Sequence, residues 1–384
     1  MARIIVIGGG TAGTAAGLAL HKAGFEVTVY EAHPTAAEDI GAFLTLASNG
    51  IRALAQIDAS DAVTAAGFPL ATLRVLDGTG AELANRPLTG AESDDGLLRY
   101  RCLRRGELNA ALQTEAVRRG VGLRHGARLV SVEEGPDAVT AHFADGSTAT
   151  GDLLVGADGL HSTVRRSFAP ATRPVYAGEQ VFYGYTTEAP VTEETGRITL
   201  MRGSAAAFGY AVSPAGETYW FARVTGEPLP TEELAKGTPD RWRELLVPLL
   251  REDATPAAGI VAATADRLMV THATEMPLGA PWRAGRVLII GDAAHAASPA
   301  TGQGASMALE DAVVLAKALR DAPDVERALT AYEALRRPRV EHNIAVSGQI
   351  SRRDDTRPGP TTPPPTDDEL LRHLEWNADV WTQV

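Results

Sequence analysis

Three short stretches of this chain carry residues whose type and spacing could do chemistry: Gly8-x-Gly10-x-x-Gly13, Asp158-Gly159 and Gly291-Asp292. The first follows an apolar, β-branched run from Arg3 to Ile7. It opens a helical pattern through Ala15, Leu18 and Leu20 to Ala23, which Gly24 stops. A second strand, Glu26 to Tyr30, then ends at Glu31. Strand, glycine turn, helix and strand in that order make a dinucleotide fingerprint. Gly8 allows the tight turn, Gly10 lets the backbone approach a pyrophosphate, and Gly13 lets helix and strand pack closely. The helix start at Thr11, Ala12 and Gly13 offers unpaired N–H groups and partial positive charge to the phosphates. Glu31 can accept hydrogen bonds from ribose hydroxyls and would repel a 2′-phosphate, so this cradle suits FAD or NAD rather than NADP. A secretory leader fits the start poorly, because glycines break the apolar stretch.

Two further strand-like runs, Asp152 to Val155 and Val287 to Ile290, lead into Gly156-Ala157-Asp158-Gly159 and Gly291-Asp292-Ala293-Ala294-His295. At the carboxyl end of a parallel strand, Asp292 can bond the ribityl or pyrophosphate part of a cofactor. Alone, the pair would read as a helix N-cap. Its neighbours Pro299 and Gly302-Gln303-Gly304 favour the cofactor, since the glycines keep side chains away from where a flat ring lies. A helix with a broad apolar face follows, through Met307, Leu309, Ala312, Val313, Leu315, Ala316 and Leu319. Glu310 and Asp311 early in it, and Lys317 and Arg320 late, match the helix dipole. Its first N–H groups, near Ala305 and Ser306, would face the ring and stabilise negative charge on a reduced flavin. For Asp158 the simpler alternative is a capping residue in a strand-to-helix turn.

Together the three motifs resemble those of the class A flavoprotein aromatic hydroxylases. This is the para-hydroxybenzoate hydroxylase family, which also holds the tetracycline-inactivating monooxygenases. The resemblance implies FAD as resident cofactor and NADPH or NADH as a transient reductant, bound without a second fingerprint. It implies that O2 adds at flavin C4a and that the hydroperoxide gives one oxygen atom to an electron-rich substrate. The family's Arg-x-x-Leu before a helix matches Arg105-Gly106-Glu107-Leu108, which assigns Arg105 to FAD. From the residues alone, Arg105 reads equally as a surface arginine. By the same resemblance Asp158, Gly159 and Arg165 lie in a segment that serves both nucleotides.

The 384 residues allow two or three domains. A net charge of -12 makes nucleic acid an unsuitable partner, and no apolar stretch approaches the roughly 18 residues of a membrane span. Cys102 is the only cysteine and no histidine pair has a ligand spacing, so no metal is expected. These features fit a cytoplasmic protein, monomer or homodimer. The expected fold is α/β, with a discontinuous Rossmann-type FAD-binding domain (1–72, 97–172 and 282–350). An inserted antiparallel β-sheet substrate domain takes 73–96 and 173–281, where period-two strands run over Val181 to Thr187, Arg197 to Arg202, Phe208 to Ser213 and Glu217 to Val224. By resemblance this sheet roofs the flavin ring. Residues 351–384 read as a Pro-rich linker and a short C-terminal helix that docks on the body, docks on a partner subunit or stays mobile.

Candidates for a substrate pocket are Tyr183 and Tyr185 on one strand, and Tyr219, Phe221 and Arg223 on another. Tyr210, Arg202, Trp220 and His272 join them, His272 as a base for a phenol. The plainer reading is that most of these aromatics pack the sheet. No G-x-S-x-G elbow accompanies Ser162 or His295, so nucleophilic hydrolysis is not expected. The expected activity is FAD-dependent hydroxylation of a small aromatic or polyketide-like molecule. The alternatives are a flavin halogenase (whose W-x-W-x-I-P is absent), a flavin reductase or dehydrogenase without oxygen transfer, and a flavin-binding partner or sensor that has lost turnover.

Overall fold

The computed structural model describes residues 2–36, 41–88, 99–191, 194–354 and 362–382. Its first sheet is six-stranded, with Arg3–Ile7 flanked by Leu153–Gly156 on one side and Glu26–Tyr30 on the other. Val287–Ile289 and Gly122–Arg124 extend it in parallel, and the short Arg283–Ala284 closes one edge antiparallel. Runs such as Ile4 to Ile7 and Leu153 to Val155 are buried throughout, as parallel strands covered on both faces require. Register does the positioning: Ile7 stands opposite Tyr30 and Gly156, and Gly156 opposite Ile289. Gly8, Glu31, Ala157 and Ile290 therefore leave the sheet at one level, where ligands of open parallel sheets bind.

The fingerprint helix Thr11–Lys22 packs along the later helix Gly304–Asp321. Every residue of that later helix from Ser306 to Ala318 is buried, which corrects the expectation of one apolar face with charges matched to a dipole. Glu310, Asp311 and Lys317 are fully buried and held by specific partners instead.

A second, seven-stranded sheet has Leu268–Glu275 and Val175–Thr186 at one side and Thr72–Asp77 with Glu82–Pro87 at the other, around three central strands. Those are Arg197–Arg202, Ala206–Val212 and Thr218–Thr225. Residues 72–77 and 175–275 thus share one sheet, but the sheet is not wholly antiparallel. Thr72–Asp77 arrives from an earlier part of the chain and pairs in parallel with Arg197–Arg202, which no hairpin could do. One face packs on helices Pro239–Leu250 and Ala257–Ala262 through Phe182, Phe208, Trp220 and Trp242. The other face meets a small sheet of Phe43–Leu46, Tyr100–Arg104 and Phe68–Leu70, where Tyr185 and Tyr219 pack with Phe68, Leu70 and Cys102.

The C-terminal segment docks on its own chain. A capping box between Thr366 and Glu369 starts helix Asp367–Leu374. Leu370, Leu374 and Val380 then join the main core. Lys317 Nζ donates to the His373 carbonyl at 2.6 Å, and the Trp376 ring lies between Lys22 and Arg320. Pro358 and Pro360 of the expected linker fall outside the described residues.

Candidate flavin site

The glycines divide by what surrounds them. A Cβ on Gly13 would stand 1.9 Å from the Gly8 carbonyl, and one on Gly8 (φ +106°) 2.3 Å from that of Ala157. These two bring helix, turn and central motif into contact. Gly10, Gly159 and Gly304 have nothing within 4 Å of such a Cβ. Bare backbone facing open space at Gly10 and Gly159, just past neighbouring strands, and at Gly304, where helix Gly304–Asp321 begins, is what a pyrophosphate and a flat ring need, so the residues present fit FAD. Gly291 (φ +57°) draws the third motif against the first, its would-be Cβ 2.8 Å from that of Ala12.

Around this cradle, Asp292 is exposed, and its carboxylate makes no bond among the described residues. Glu31 is fixed at the turn, its two oxygens accepting from the Gly9 N–H at 2.6 Å and the His33 N–H at 2.7 Å. Each oxygen keeps a lone pair for a ribose hydroxyl. Arg105 is exposed, with its guanidinium laid across Gly41. Two residues that sequence reading passed over buttress the fingerprint: Asn109 accepts from the Thr11 hydroxyl at 2.8 Å, and buried Gln113 donates to the Gly9 carbonyl at 2.6 Å. The signal was available, since Arg105, Asn109 and Gln113 follow at i, i+4 and i+8 on one face of helix Arg105–Arg118.

Asp158 and Arg165 turn inward. Asp158 accepts from the Ser162 hydroxyl and from the N–H groups of Thr163 (2.6 Å) and Val164 (3.1 Å), so it satisfies the first N–H groups of helix Thr163–Phe168, whose N-cap is Ser162. Arg165 is only 2% exposed, and it donates to the carbonyls of Ala293 at 2.6 Å and Leu160 at 2.5 Å. A direct contact between Arg165 and a nicotinamide nucleotide is thereby corrected, since its guanidinium is buried among main-chain acceptors. It joins the second motif to the third instead.

Past Asp292, Pro299 and Gly302 are exposed and Ala305 is half-buried. The N–H groups of Gly304, Ala305 and Ser306 have no acceptor within their helix and remain available to a ligand. The Ser306 side chain does not, for it is buried and accepts from the Ala47 N–H at 3.1 Å.

Behind the loop lies a charge network. Asp311 accepts from the Gly291 N–H at 2.9 Å, from His295 Nε2 at 2.5 Å and from Arg336 Nε at 2.8 Å. Glu310 accepts from Arg336 at 2.7 Å, Arg339 at 2.8 Å and Asn49 at 2.6 Å. Burial opposes ionisation of Asp311, but His295 and Arg336 overcome it and hold its carboxyl down at about 2. The carboxylates therefore stay charged and lock Gly291 in place.

Over the small sheet, Tyr183 stands opposite Phe221 and Met269, Tyr185 opposite Tyr219, and Val181 opposite Arg223, so all share one face. Gly209 lets the Phe221 ring lie across the next strand, for a Cβ there would come within 2.5 Å of that ring. Tyr183, Phe221, Leu200 and Phe43 stay half-buried on this face. Burial raises the Tyr183, Tyr185 and Tyr219 hydroxyls, Tyr219 to about 12 against the pull of Arg104, so they serve as donors and not bases. Arg104 lies over the Tyr185 and Tyr219 rings and pairs with Glu217, which also holds Arg267 at 2.9 Å; these ionic residues were not anticipated.

Three pocket candidates face the other way. Trp220 is fully buried, stacked on Phe208 and donating to Thr264, and Tyr210 belongs to the same helix-covered cluster. His272 is opposite Gln180 and so shares the Phe182 face, with its ring against Tyr176. It cannot serve as base for a molecule on the Tyr183 face. The cause is the period of two, which sends alternate residues of one strand to opposite faces. Arg223 pairs with buried Glu179 at 3.2 Å, and Arg202 is exposed at the sheet margin.

Glycine turns at one edge of a parallel sheet, beside an aromatic sheet face, are the arrangement of a flavoprotein. The chain belongs to the class A FAD-dependent aromatic hydroxylases, and residues 1–347 match the FAD binding domain model of that group. It is 32% identical over 359 residues to the aurachin C monooxygenase/isomerase of Stigmatella aurantiaca, covering 90% of this chain and 88% of the relative. It is 33% identical over 346 residues to the FAD-dependent urate hydroxylase of Klebsiella pneumoniae, covering 88% and 86%. The structure of Klebsiella pneumoniae HpxO with FAD and uric acid matches with a TM-score of 0.80 at 27% identity, over 97% of this chain and 92% of that one.

Proposed function

We propose that the protein is an FAD-dependent monooxygenase that uses NADPH or NADH and O2 to hydroxylate a small, planar aromatic or polyketide-like substrate. The observation that carries this reading is the union of the open glycine edge with the half-buried Tyr183–Phe221–Leu200 face. When bound, the flavin supplies the reduction and oxygen-transfer chemistry. Gly8, Gly10, Thr11, Ala12, Gly13 and Glu31 hold its adenosine and pyrophosphate. Arg105, Gly159 and Asp292 meet its middle portion, and Pro299, Gly302, Gly304 and the N–H groups of Ala305 and Ser306 face its ring. Residues 73–96 and 173–281 act as the substrate domain, inserted between parts of a cofactor domain formed by 1–72, 97–172 and 282–350. Phe43 and Phe221, whose rings meet at 6.2 Å, form one apolar wall against the substrate and exclude water, while the neutral Tyr183 hydroxyl orients an oxygen substituent. The relatives named as an aurachin C monooxygenase/isomerase and a urate hydroxylase support this choice of class.

The reaction consumes one NAD(P)H, one proton and one O2 per substrate and yields the hydroxylated product, water and NAD(P)+. The test is anaerobic reduction of FAD-loaded protein, followed by mixing with ¹⁸O₂-saturated buffer and a panel of phenols and fused-ring ketones. One ¹⁸O atom in a product supports monooxygenation. Reoxidation that yields only hydrogen peroxide with every compound makes it a reductase or a turnover-deficient flavin protein.

A further inference from the structure

One uncharged side chain links the buried ion network to the ring-facing loop. Asn49, on the first turn of helix Ser48–Gln56, donates through Nδ2 to Glu310 Oε1 at 2.6 Å and to Gln303 Oε1 at 3.1 Å. Glu310 is 0% exposed and gripped by Arg336 and Arg339, so its oxygen is a fixed point. Both hydrogens of the Asn49 amide are committed, which sets its orientation and turns the Gln303 side-chain carbonyl inward. The Gln303 Nε2 is left as a donor on the opposite side, and it makes no bond among the described residues. Gln303 stands between exposed Gly302 and Gly304, and a Cβ on Gly304 would meet nothing within 4 Å.

From this we propose that Gln303 is a flavin-binding residue whose amide N–H donates to an acceptor atom of the bound ring, and that Asn49 is the positioning residue that aims it. The inference rests on the flavin site described above, not on the oxygen-transfer step. A donor at a ring acceptor stabilises the electron-rich reduced form more than the oxidised form, so this pair raises the flavin midpoint potential. Without Asn49, the Gln303 amide rotates freely, and the entropy of ordering it is charged against cofactor binding.

The experiment measures FAD affinity by fluorescence quenching, flavin midpoint potential, and melting of the apoprotein, for wild type, Asn49→Ala, Gln303→Ala, the double variant and Gln303→Glu. Each single alanine is expected to weaken FAD binding about five- to tenfold and to lower the potential. The double variant should be no worse than either single one, because Asn49 acts through Gln303. Gln303→Glu, at a partly exposed position, keeps the fold and replaces the donor with an acceptor, so it should show the same loss with unchanged melting. Additive losses, or a lower melting temperature with unchanged affinity and potential, would show that Asn49 is structural only and overturn the proposal. Unchanged FAD affinity and potential in Gln303→Glu would overturn it even where Asn49→Ala fails to fold. Failure of the wild type to oxygenate any substrate, with these flavin readouts intact, counts against the proposed activity and not against this pair.

Discussion

The Arg165 guanidinium donates to the Ala293 carbonyl at 2.6 Å, across 128 residues of sequence. With its second bond, to Leu160, it fastens the turn that bears Gly159 to the turn that bears Asp292. Arg165→Met should therefore loosen two motifs at once. The loss of two charge-assisted hydrogen bonds is expected to cost about 2–4 kcal/mol. Urea unfolding of the apoprotein measures it, and a midpoint equal to wild type would mean the two turns are held by something else.

Gly10 and Gly13 differ in kind, though the fingerprint treats them alike. Gly13→Ala would drive a methyl to 1.9 Å from the Gly8 carbonyl and should leave little folded protein. Gly10→Ala meets nothing within 4 Å, and its φ of -74° suits any residue. That variant should fold normally and bind FAD at least tenfold more weakly, by roughly 1.4 kcal/mol or more. Circular dichroism and FAD titration separate the two cases; normal FAD affinity in Gly10→Ala would remove the pyrophosphate from that position.

The two motif aspartates should also part company. Asp292→Ala removes an exposed carboxylate with no bond among the described residues, so melting should hold while the purified protein comes off largely without FAD. Asp158→Ala leaves the N–H groups of Thr163 and Val164 at the start of helix Thr163–Phe168 without their acceptor and should cost about 1 kcal/mol of stability. Full FAD occupancy in Asp292→Ala would contradict the assignment.

Lys317 makes stability depend on pH. Burial holds its ammonium down at about 8, from an ordinary 10.5. Between those values the folded chain has released a proton that the unfolded chain still binds. This group's contribution to stability therefore rises with pH across the window and is flat below it. Lys317→Met should abolish that rise. Urea midpoints at pH 7 and pH 10 for both proteins give the test, and equal slopes would show that docking of helix Asp367–Leu374 does not sense the amine.

The cofactor edge was legible in the sequence because each of its parts is local. A glycine turn, its strand and its helix lie within a few tens of residues, and Gly8, Gly10 and Gly13 carry their roles in their spacing. The strands of the seven-stranded sheet were legible for the same reason, and so was the shared face of Tyr183 and Tyr185. What escaped was pairing at long range. Trp220 looks like a pocket residue until its strand is set beside Val175–Thr186 and its ring proves to stack on Phe208, on the covered face. Glu310 and Asp311 look like dipole partners until helix Val325–Arg352 brings Arg336 and Arg339 against them. Periodicity states which residues share a face, but it does not state what that face meets.

Glu310, Asp311, Arg336 and Arg339 form a linked set of two carboxylates and two guanidinium groups, three of them essentially without solvent, with His295 also bonded to Asp311. Removing one member of such a set strands a buried charge at about 3–5 kcal/mol, against a total stability of about 5–15 kcal/mol. No member can drift alone. In evolution the four positions should behave as one epistatic unit: a descendant with an uncharged residue at one of them is viable only if its partner changed too. The core beneath this flavin edge would then be inherited whole, while the aromatic face above it remains free to diverge toward new substrates.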